Sequence, residues 1–462
     1  MGKAFSACFI FVVSGVACYA QSDFGASFQV LGDLPGGTVL SIPRAISADG
    51  GVVVGESSSA SSFGSCPQCR EAFQWTLGRG MIGLGDASGG VFWSSAAAVS
   101  SDGLVVGIEG NITGITGKSR ALLWTSTNGL QDALLSNSSG DYSWLFGFDD
   151  SNDLIANHLD DAGSNPVRGN VFSGGTRTPL PSLDSHTILT QHYSNHAPHC
   201  VDAIVTGVSP NGRFVFGSDY DLSTYTGYCL QESLGNPSTV RGFKIDRDQN
   251  TIESYTFGVD VGTFFAVSTL GSSDNGTTVF HAHQLCRLGQ NSERCFSYIE
   301  GDGPVYDYAD LSGDGMIAVA VAYGDGYFGA SVWTPQFERA DLVELLESAG
   351  ATVTLSDLRV TTISQDGRVV AGYGSDGKDT IAWRAVLPFG YPCDSIDFNN
   401  DTSYFDPQDI DAFLSVYTEG PCIPSSATCN DLDFNNDGSV FDPIDIDAFL
   451  SVFSNGPCLL PS

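Results

Sequence analysis

Basic residues are scarce in this chain of 462 residues, and their scarcity excludes several kinds of partner. The chain holds 19 lysines and arginines against 53 aspartates and glutamates, which gives a formal net charge of −34 at pH 7. A surface this acidic repels phosphate, so neither nucleic acid nor an anionic membrane surface is expected as a partner. Only 16% of the residues are charged and 42% are hydrophobic. This balance predicts a packed core rather than a disordered acidic chain.

Long apolar runs and methionine are also in short supply. Beyond the first twenty residues, no run approaches the ~18 apolar residues that a transmembrane helix needs. We therefore predict no transmembrane segment. Methionine occurs 3 times, whereas glycine occurs 55 times. Many turns and few long helices are expected from such a composition, which is typical of a mainly β protein.

Residues 1–20 have the pattern of a secretion signal. Lys3 supplies a short positive region, an apolar stretch follows at 7–16, and small residues precede a cleavage site after Ala20. An alternative is a lipoprotein signal in which Cys18 becomes the acylated first residue. Both interpretations place the mature protein outside the cell, either secreted or held at the cell surface.

The cysteines that remain after the signal are ten in number and fall as neighbours along the chain. In an exported protein this pattern predicts local disulfides. The expected pairs are Cys66–Cys69, Cys200–Cys229, Cys286–Cys295, Cys393–Cys422 and Cys429–Cys458. Cys66 and Cys69 form a CxxC motif, for which redox or zinc chemistry is the alternative. Its loop is rich in serine and glycine and offers no second CxxC, so a structural disulfide is favoured.

Residues 21–388 contain a degenerate repeat. A turn pair such as Asp-Gly, placed between a Ser or Asp and a β-branched run, begins near 49, 102, 152, 211, 275, 314 and 366, on average about 53 residues apart. Asp-Gly between such residues is a strong hairpin signal, and about 53 residues hold four short strands with their turns. The sequence therefore predicts a β-propeller of seven blades, with six or eight as alternatives. We expect segment 28–34 to pair with segment 382–387 and so close the ring.

Several phrases of the repeat resemble those of exported bacterial HAF-repeat proteins. They are LGDLPGG (31–37), EAFQWT (71–76), GMIGLGD (80–86), SAAAVSSDGLVVG (95–107), ADLVELLESAG (340–350) and ISQDGRVVAGYG (363–374). The resemblance implies export and a repetitive β fold. It brings no established reaction, and hence no catalytic residue.

Residues 389–462 hold a second repeat, in which 393–422 matches 429–458 at 21 of 30 positions. Each copy has an Asp-x-Asn-x-Asp loop, whose oxygen ligands on alternate residues suit a hard cation, followed by an amphipathic helix. We predict two calcium sites, the second stronger because Gly438 stands where the first copy has Thr402. The predicted ligands are Asp397, Asn399, Asp401, Ser403 and Asp409 in the first copy, and Asp433, Asn435, Asp437, Ser439 and Asp445 in the second. Solvated acidic turns without metal are the alternative.

This loop–helix pair is similar to a duplicated type I dockerin. The resemblance implies a small helical domain that binds calcium and reads a cohesin partner. Asp442 and Pro443, however, occupy the positions with which a dockerin recognises cohesin, in place of a Ser/Thr pair. A cohesin-like partner is therefore not expected.

No catalytic motif stands out in the sequence. The turn aspartates Asp49, Asp102, Asp314 and Asp366 recur with the repeat, which favours a role in turn geometry over catalysis. The histidines between 186 and 199 lie in a stretch without helical pattern and are interpreted as loop residues. The favoured hypothesis is an extracellular, non-enzymatic binding or structural protein, whose ligand is a glycan or a protein. The alternative is a polysaccharide-acting hydrolase or lyase that carries a dockerin-like module.

Overall fold

A computed structural model of the chain describes most of residues 26–388 and part of the tail. Gaps fall at 67, 112–119, 134–141, 160–167, 182–203, 221–239, 257–268, 275, 277, 282–283, 288–293, 298–308, 316, 325–326 and 335–336. In the tail the described residues are 398–399, 407–418, 420–424, 429, 432, 434 and 443–453. The predicted signal at 1–20 lies outside the described residues.

Short antiparallel strands make up almost all of the structure up to residue 388. The first are β1 (Ser27–Gly32), β2 (Gly36–Ile46), β3 (Val52–Ser59), β4 (Glu71–Thr76), β5 (Gly80–Gly85), β6 (Ser94–Val99), β7 (Val105–Gly110), β8 (Arg120–Thr125) and β9 (Gly129–Asp132). Next come β10 (Tyr142–Phe148), β11 (Leu154–Leu159), β12 (Arg168–Ser173), β13 (Thr176–Pro179), β14 (Ile204–Val208), β15 (Phe214–Tyr220), β16 (Val240–Asp246) and β17 (Thr251–Thr256). The last are β18 (Thr269–Ser272), β19 (Thr278–His281), β20 (Gln284–Arg287), β21 (Arg294–Ser297), β22 (Ala309–Leu311), β23 (Ala318–Gly324), β24 (Tyr327–Thr334), β25 (Phe337–Asp341), β26 (Ser356–Ile363), β27 (Val369–Ser375) and β28 (Thr380–Val386).

Helices are few. Within the strand region they are α1 (Ala60–Ser65) and α2 (Leu342–Ser348), and the tail adds α3 (Pro407–Tyr417) and α4 (Pro443–Phe453). None of the helices in the described part of the chain is long and apolar enough to cross a membrane.

The described strands form six hydrogen-bonded sheets. Five are four-stranded, β6–β9, β10–β13, β14–β17, β18–β21 and β22–β25, and each strand pairs with the next along the chain. The remaining sheet has eight strands, in the order β26-β27-β28-β2-β3-β4-β5, with β1 also paired to β28. One parallel residue pair, Leu40 with Thr380, joins its two four-stranded ladders. The hydrogen-bonded sheets thus number six rather than the predicted seven, because this pair merges two ladders that the sequence treats as separate.

The sheets have a β-propeller arrangement. The first strand of each four-stranded ladder lies against the first strand of the next, and the contacts run from β2 through β6, β10, β14, β18, β22 and β26 back to β2. The predicted closure is confirmed, since β1 pairs antiparallel with β28 and Phe28 lies opposite Ala385. The ring of Phe28 also stacks on Trp383, with centroids 5.6 Å apart. This pairing covers the edge that β28 would otherwise leave free.

The core lies between neighbouring sheets rather than within one layer. Val53, Phe73 and Trp75 pack with Ala371 and Ala382 across the junction of the two merged ladders. A second phrase follows each turn in the repeat, such as AFQW (72–75) and IAWR (381–384). Most of its aromatic residues are buried, namely Phe73, Trp75, Phe172, Phe243, Trp333 and Trp383, whereas Trp124 is half-buried. A flat sheet cannot cover both of its own faces, so this packing depends on the neighbouring sheets.

The two faces of the propeller differ in their connections. One face carries the turns between first and second strands and between third and fourth strands, none longer than six residues. We call it the turn face, and both ends of the propeller chain also leave from it, because Ser27 lies opposite Val386. The other face, here the loop face, is where second strands end and third strands begin and where one ladder leads to the next, and its described connections include 86–93 and 342–355.

In the tail, α3 and α4 pack together around aromatic side chains. Phe413 stacks on Phe449, with ring centroids 4.2 Å apart, and both are fully buried. Leu414 and Leu450, which follow these two phenylalanines, lie away from the contact, since their side chains are 45% and 46% exposed. The small residues Ala412 and Ala448 are buried instead, because close approach of the two helices leaves room for a methyl group at the contact.

The disulfides confirm one predicted pair and correct two others. Cys66 is bonded to Cys69 as predicted. Cys422 is bonded to Cys429, seven residues on, so the predicted pairs Cys393–Cys422 and Cys429–Cys458 are both wrong. Closing the shorter segment costs less chain entropy than closing a whole loop–helix copy. Cys286 lies opposite Cys295 in the register of β20 and β21, whereas Cys200, Cys229, Cys393 and Cys458 lie outside the described residues.

Candidate functional site: the axial channel

The recurring turn phrase folds into the same hydrogen-bonded structure on the turn face. In the first unit the Ser47 hydroxyl donates to Asp49 Oδ1 at 2.7 Å and accepts from the Val52 amide at 2.9 Å. Asp49 Oδ1 also accepts from the Gly51 amide at 2.8 Å. Gly50 has φ +69°, which glycine adopts without steric cost. The same bonds recur between Ser100 and Asp102, Ser209 and Asn211, Ser312 and Asp314, and Ser364 and Asp366.

The turn aspartates therefore serve turn geometry, as the sequence predicts. The hydrogen bond from Ser100 holds the pKa of Asp102 below its usual value, so this carboxylate is charged at neutral pH and acts as an acceptor. A carboxylate held in this way is a poor general acid or base. It recurs in the repeat because the turn requires it.

Hydrogen bonds also connect one turn to the next around the axis. The Ala48 amide donates to the Ser101 carbonyl at 3.1 Å, and the Asp366 amide to the Ala48 carbonyl at 3.3 Å. The Asp274 amide donates to the Gly313 carbonyl at 2.6 Å. Further links are Gly313 to Gln365, Asn211 to Asp274, and the ion pair of Arg247 with Asp149. The turn face is thus one connected ring of polar contacts.

A β-bulge interrupts the first strand of six ladders at the same place. The unpaired residue always lies three residues before the Ser or Asp that opens the turn. These residues are Arg44, Ala97, Phe146, Thr206, Leu270 and Thr361. Bulges redirect side chains, and here they do so next to the axis.

Glycine is required opposite two of these bulges. A Cβ atom on Gly55 would lie 2.1 Å from the Ile42 carbonyl oxygen, and one on Gly372 would lie 1.9 Å from the Arg359 carbonyl oxygen. Backbone atoms cannot move aside at such distances without disturbing the ladder. This contact explains why the repeat phrase ends in glycine in VVVG and VVAG.

A cavity of about 120 Å³ lies on the axis at the level of the turns. Six first strands contribute to its wall, through Ile46, Val99, Phe148, Val208, Asp310 and Ile363 among others. Asp310 Oδ2 accepts from the Thr362 hydroxyl at 2.9 Å and the Ile363 amide at 3.1 Å. Burial raises the pKa of Asp310 to about 6, against the lowering effect of these bonds. The carboxylate links β22 to β26, and this role is structural.

Two further buried carboxylates link neighbouring sheets in the same way. Asp274 Oδ1 accepts from the Asn211 amide at 2.6 Å, and burial raises the pKa of Asp274 to about 6. Glu109 Oε1 accepts from the Leu145 amide at 3.0 Å, and burial raises the pKa of Glu109 to about 7. The first strands have an edge that no further strand covers, so a side chain of the preceding sheet satisfies the amides of Leu145 and Ile363, whereas Asp274 accepts from a turn amide of the preceding sheet.

Polar and aromatic side chains also lie toward the loop face of the channel. Arg44 Nη2 pairs with Glu56 Oε1 at 3.1 Å, and the arginine side chain is 38% exposed. Trp144 on β10 is 42% exposed. Sequence reasoning missed these residues because they belong to no motif of their own. What marks them is their position, a fixed number of residues from the turn phrase.

Three of the ten predicted calcium ligands lie within the described residues. Asn399, Asp409 and Asp445 are all fully buried, the two aspartates in the first turns of α3 and α4. The other seven, Asp397, Asp401, Ser403, Asp433, Asn435, Asp437 and Ser439, lie outside the described part of the chain. Among the residues that the structure describes, no three His, Cys, Asp or Glu side chains are gathered as a metal site. The two calcium sites therefore stay a prediction.

No protein-family model and no curated protein matches the chain. Among solved structures, it is similar to the β-propeller domain of Cps50 (Swd1) from Myceliophteria thermophila, at 10% identity and a TM-score of 0.42, over 77% of this chain and 99% of that one. A prolyl endopeptidase matches at 11% identity and a TM-score of 0.45, over 78% of this chain and 47% of its own. A gluconolactonase from Xanthomonas campestris matches at 11% identity and a TM-score of 0.34, over 66% and 88%. These scores give no guide to function.

Proposed function

We propose that the protein is an exported, non-enzymatic binding or structural propeller with a calcium-stabilised tail. The observation that carries this proposal is that the polar groups near the axis are engaged in holding the fold together. The repeated turn aspartates, Asp274 and Asp310 all accept hydrogen bonds that hold turns or neighbouring sheets together. Groups engaged in this way suit a rigid scaffold better than an acid–base site.

We also propose that the ring comprises seven blades. The eight-stranded sheet consists of two four-stranded ladders, and among the described residues Leu40 with Thr380 is the single strand-paired position between them. Counting each ladder as one blade gives the number that the repeat spacing predicts. A high-resolution experimental structure with a different number of ladders around the axis would contradict it.

The calcium proposal is supported by the burial of Asn399, Asp409 and Asp445. Carboxylates removed from water are costly unless a cation or hydrogen-bond donors face them. Asp409 and Asp445 lie where each loop would be closed by a carboxylate, directly after the helix begins. In calcium-free protein, repulsion between loop carboxylates would oppose folding of the tail.

Calorimetric titration of the full chain with calcium tests the tail. We expect two binding events, and a lower thermal midpoint for the tail in chelator than in calcium. Asp445→Asn should weaken one event, whereas Asp447→Asn, an exposed neighbour on α4, should leave both unchanged. Absence of calcium heat at millimolar ion would contradict the proposal.

A glycan array probed with the full chain in calcium, followed by product analysis on each bound polysaccharide, tests the binding function. We expect retention on the array without release of shorter or unsaturated products. Steady release of products would instead establish the hydrolase or lyase alternative.

A further inference from the structure

The ends of the strands toward the loop face carry a set of side chains that the turn scaffold does not use. In four of the bulged first strands, the residue two positions before the bulge lies opposite a second-strand residue of the same ladder. These pairs are Arg359 with Tyr373, Ile42 with Glu56, Ser95 with Glu109, and Trp144 with Asn157. They belong to four ladders that follow one another around the axis, so they lie on one side of it. We call Arg44, Glu56, Glu109, Trp144, Arg359 and Tyr373 the mouth cluster.

Contacts between the ladders hold the mouth cluster together. Arg44 pairs with Glu56 at 3.1 Å, and its positive charge also acts on Glu109 of the next ladder. Glu109 in turn accepts from the amide of Leu145, the residue next to Trp144. The acidic, basic and aromatic groups are therefore neighbours on consecutive ladders.

Trp144 is the most informative member. Its side chain is 42% exposed, although β10 is one of the first strands that contact one another around the axis. Asn157, opposite Trp144, bonds both the amide and the carbonyl of Val205 at 3.0 and 2.9 Å, which fixes this part of the sheet against the next. A rigidly supported, accessible indole is a flat apolar surface for a ligand.

The charges around the indole indicate what such a ligand would be. Arg44 and Arg359 offer donors and Glu56 offers an acceptor, whereas Glu109 is already bonded to the Leu145 amide and burial raises its pKa to about 7. Donors and acceptors together suit hydroxyl groups, which both donate and accept. A polyanionic ligand would find Arg44 already paired with Glu56, in a protein of net charge −34.

We propose that the mouth cluster binds a neutral saccharide, with a sugar ring against Trp144 and its hydroxyls bonded to Arg44 and Glu56. This inference rests on the binding function proposed above and names its site and ligand class. The other arginine, Arg359, lies over the Tyr373 ring at 5.8 Å and extends the same wall. The loop face would meet the ligand, while the chain ends leave on the opposite face.

Calorimetric titration of the full chain in calcium tests the proposal. The probes are cello-, manno- and xylo-oligosaccharides, with oligogalacturonate as the acidic counterpart. We expect at least one neutral probe to bind and to change the tryptophan fluorescence. Trp144→Ala should weaken that binding about tenfold, and Arg44→Gln should weaken it as well. Leu104→Ala, 65% exposed on the turn face, is the matched control and should bind as the wild type does.

The failures are distinguishable. If the wild type binds a neutral probe and both Trp144→Ala and Arg44→Gln bind equally well, the site is wrong while the binding function stands. Tighter binding of the acidic probe would overturn the ligand class. If no probe binds at all, both the saccharide site and the glycan part of the proposed function are overturned.

Discussion

The two faces of the propeller differ in how much their connections vary from ladder to ladder. On the turn face, the same serine-centred turn is built five times with nearly the same distances, and neighbouring turns bond to one another. On the loop face, the described connections range from three residues at 33–35 to fourteen at 342–355. The difference shows that the repeat signal in the sequence belongs to one face, whereas the other face is free to vary between units.

The largest expected effect on stability concerns the strand pairing that both faces share. Gly372→Ala would place a Cβ 1.9 Å from the Arg359 carbonyl oxygen, beside the bulge. We expect it to lower the free energy of unfolding by about 3 kcal/mol, because only backbone movement relieves the contact. Denaturant unfolding of the full chain measures it. Gly78→Ala is the control, since no atom lies within 4 Å of its added Cβ; equal effects of the two would contradict the bulge explanation.

A pair of serines compares the faces directly. Ser364 on the turn face is fully buried, and its hydroxyl accepts from the Val369 amide at 2.9 Å and donates to Asp366. The Ser375 hydroxyl on the loop face accepts an exposed bond from the Gly377 amide. Ser364→Ala should cost about 2 kcal/mol of unfolding free energy, and Ser375→Ala about 0.5 or less. Similar losses, measured by the same unfolding titration, would remove the contrast between the faces.

A pair of aspartates should differ in the sign of its pH dependence. Burial raises the pKa of Asp310 to about 6, above its value in the unfolded chain. The folded protein then binds more protons between about pH 4 and pH 6, so the free energy of unfolding falls as pH rises through this window. Asp376 on the loop face behaves oppositely, because backbone amides of Asp379 and Lys378 lower its pKa. Its contribution is present above the unfolded pKa and is lost on acidification.

Unfolding titrations at pH 5 and pH 8 test this contrast. Relative to Asp310→Asn, the wild type should lose about 1–2 kcal/mol of unfolding free energy between the two values. Relative to Asp376→Asn, it should show no loss in that direction. A wild type and an Asp310→Asn variant that respond to pH in parallel would show that Asp310 does not carry the dependence.

Features that depend on local chain geometry could be predicted from the sequence. The Asp-Gly turns, the burial of the second-phrase aromatics and the pairing of segment 28–34 with segment 382–387 follow from turn chemistry, periodicity and the need to cover an edge. The bulge before each turn could not, because an unpaired residue is defined only by the register of the opposite strand. Arg44 and Trp144 were missed for that reason. The bond from Cys422 to Cys429 was missed because the two tail copies were treated as closed units.

The closure of the ring by β1 and β28 also sets the order of events during synthesis of the chain. Ser27 finds its partner, Val386, only after the rest of the propeller has emerged. The free-energy cost of closing so long a segment grows only slowly with its length, so the consequence is one of time. Until then β1 has an uncovered edge, which can pair with a strand of another chain. A chain truncated before residue 380 would keep that edge permanently, and its fate would be aggregation rather than a smaller propeller.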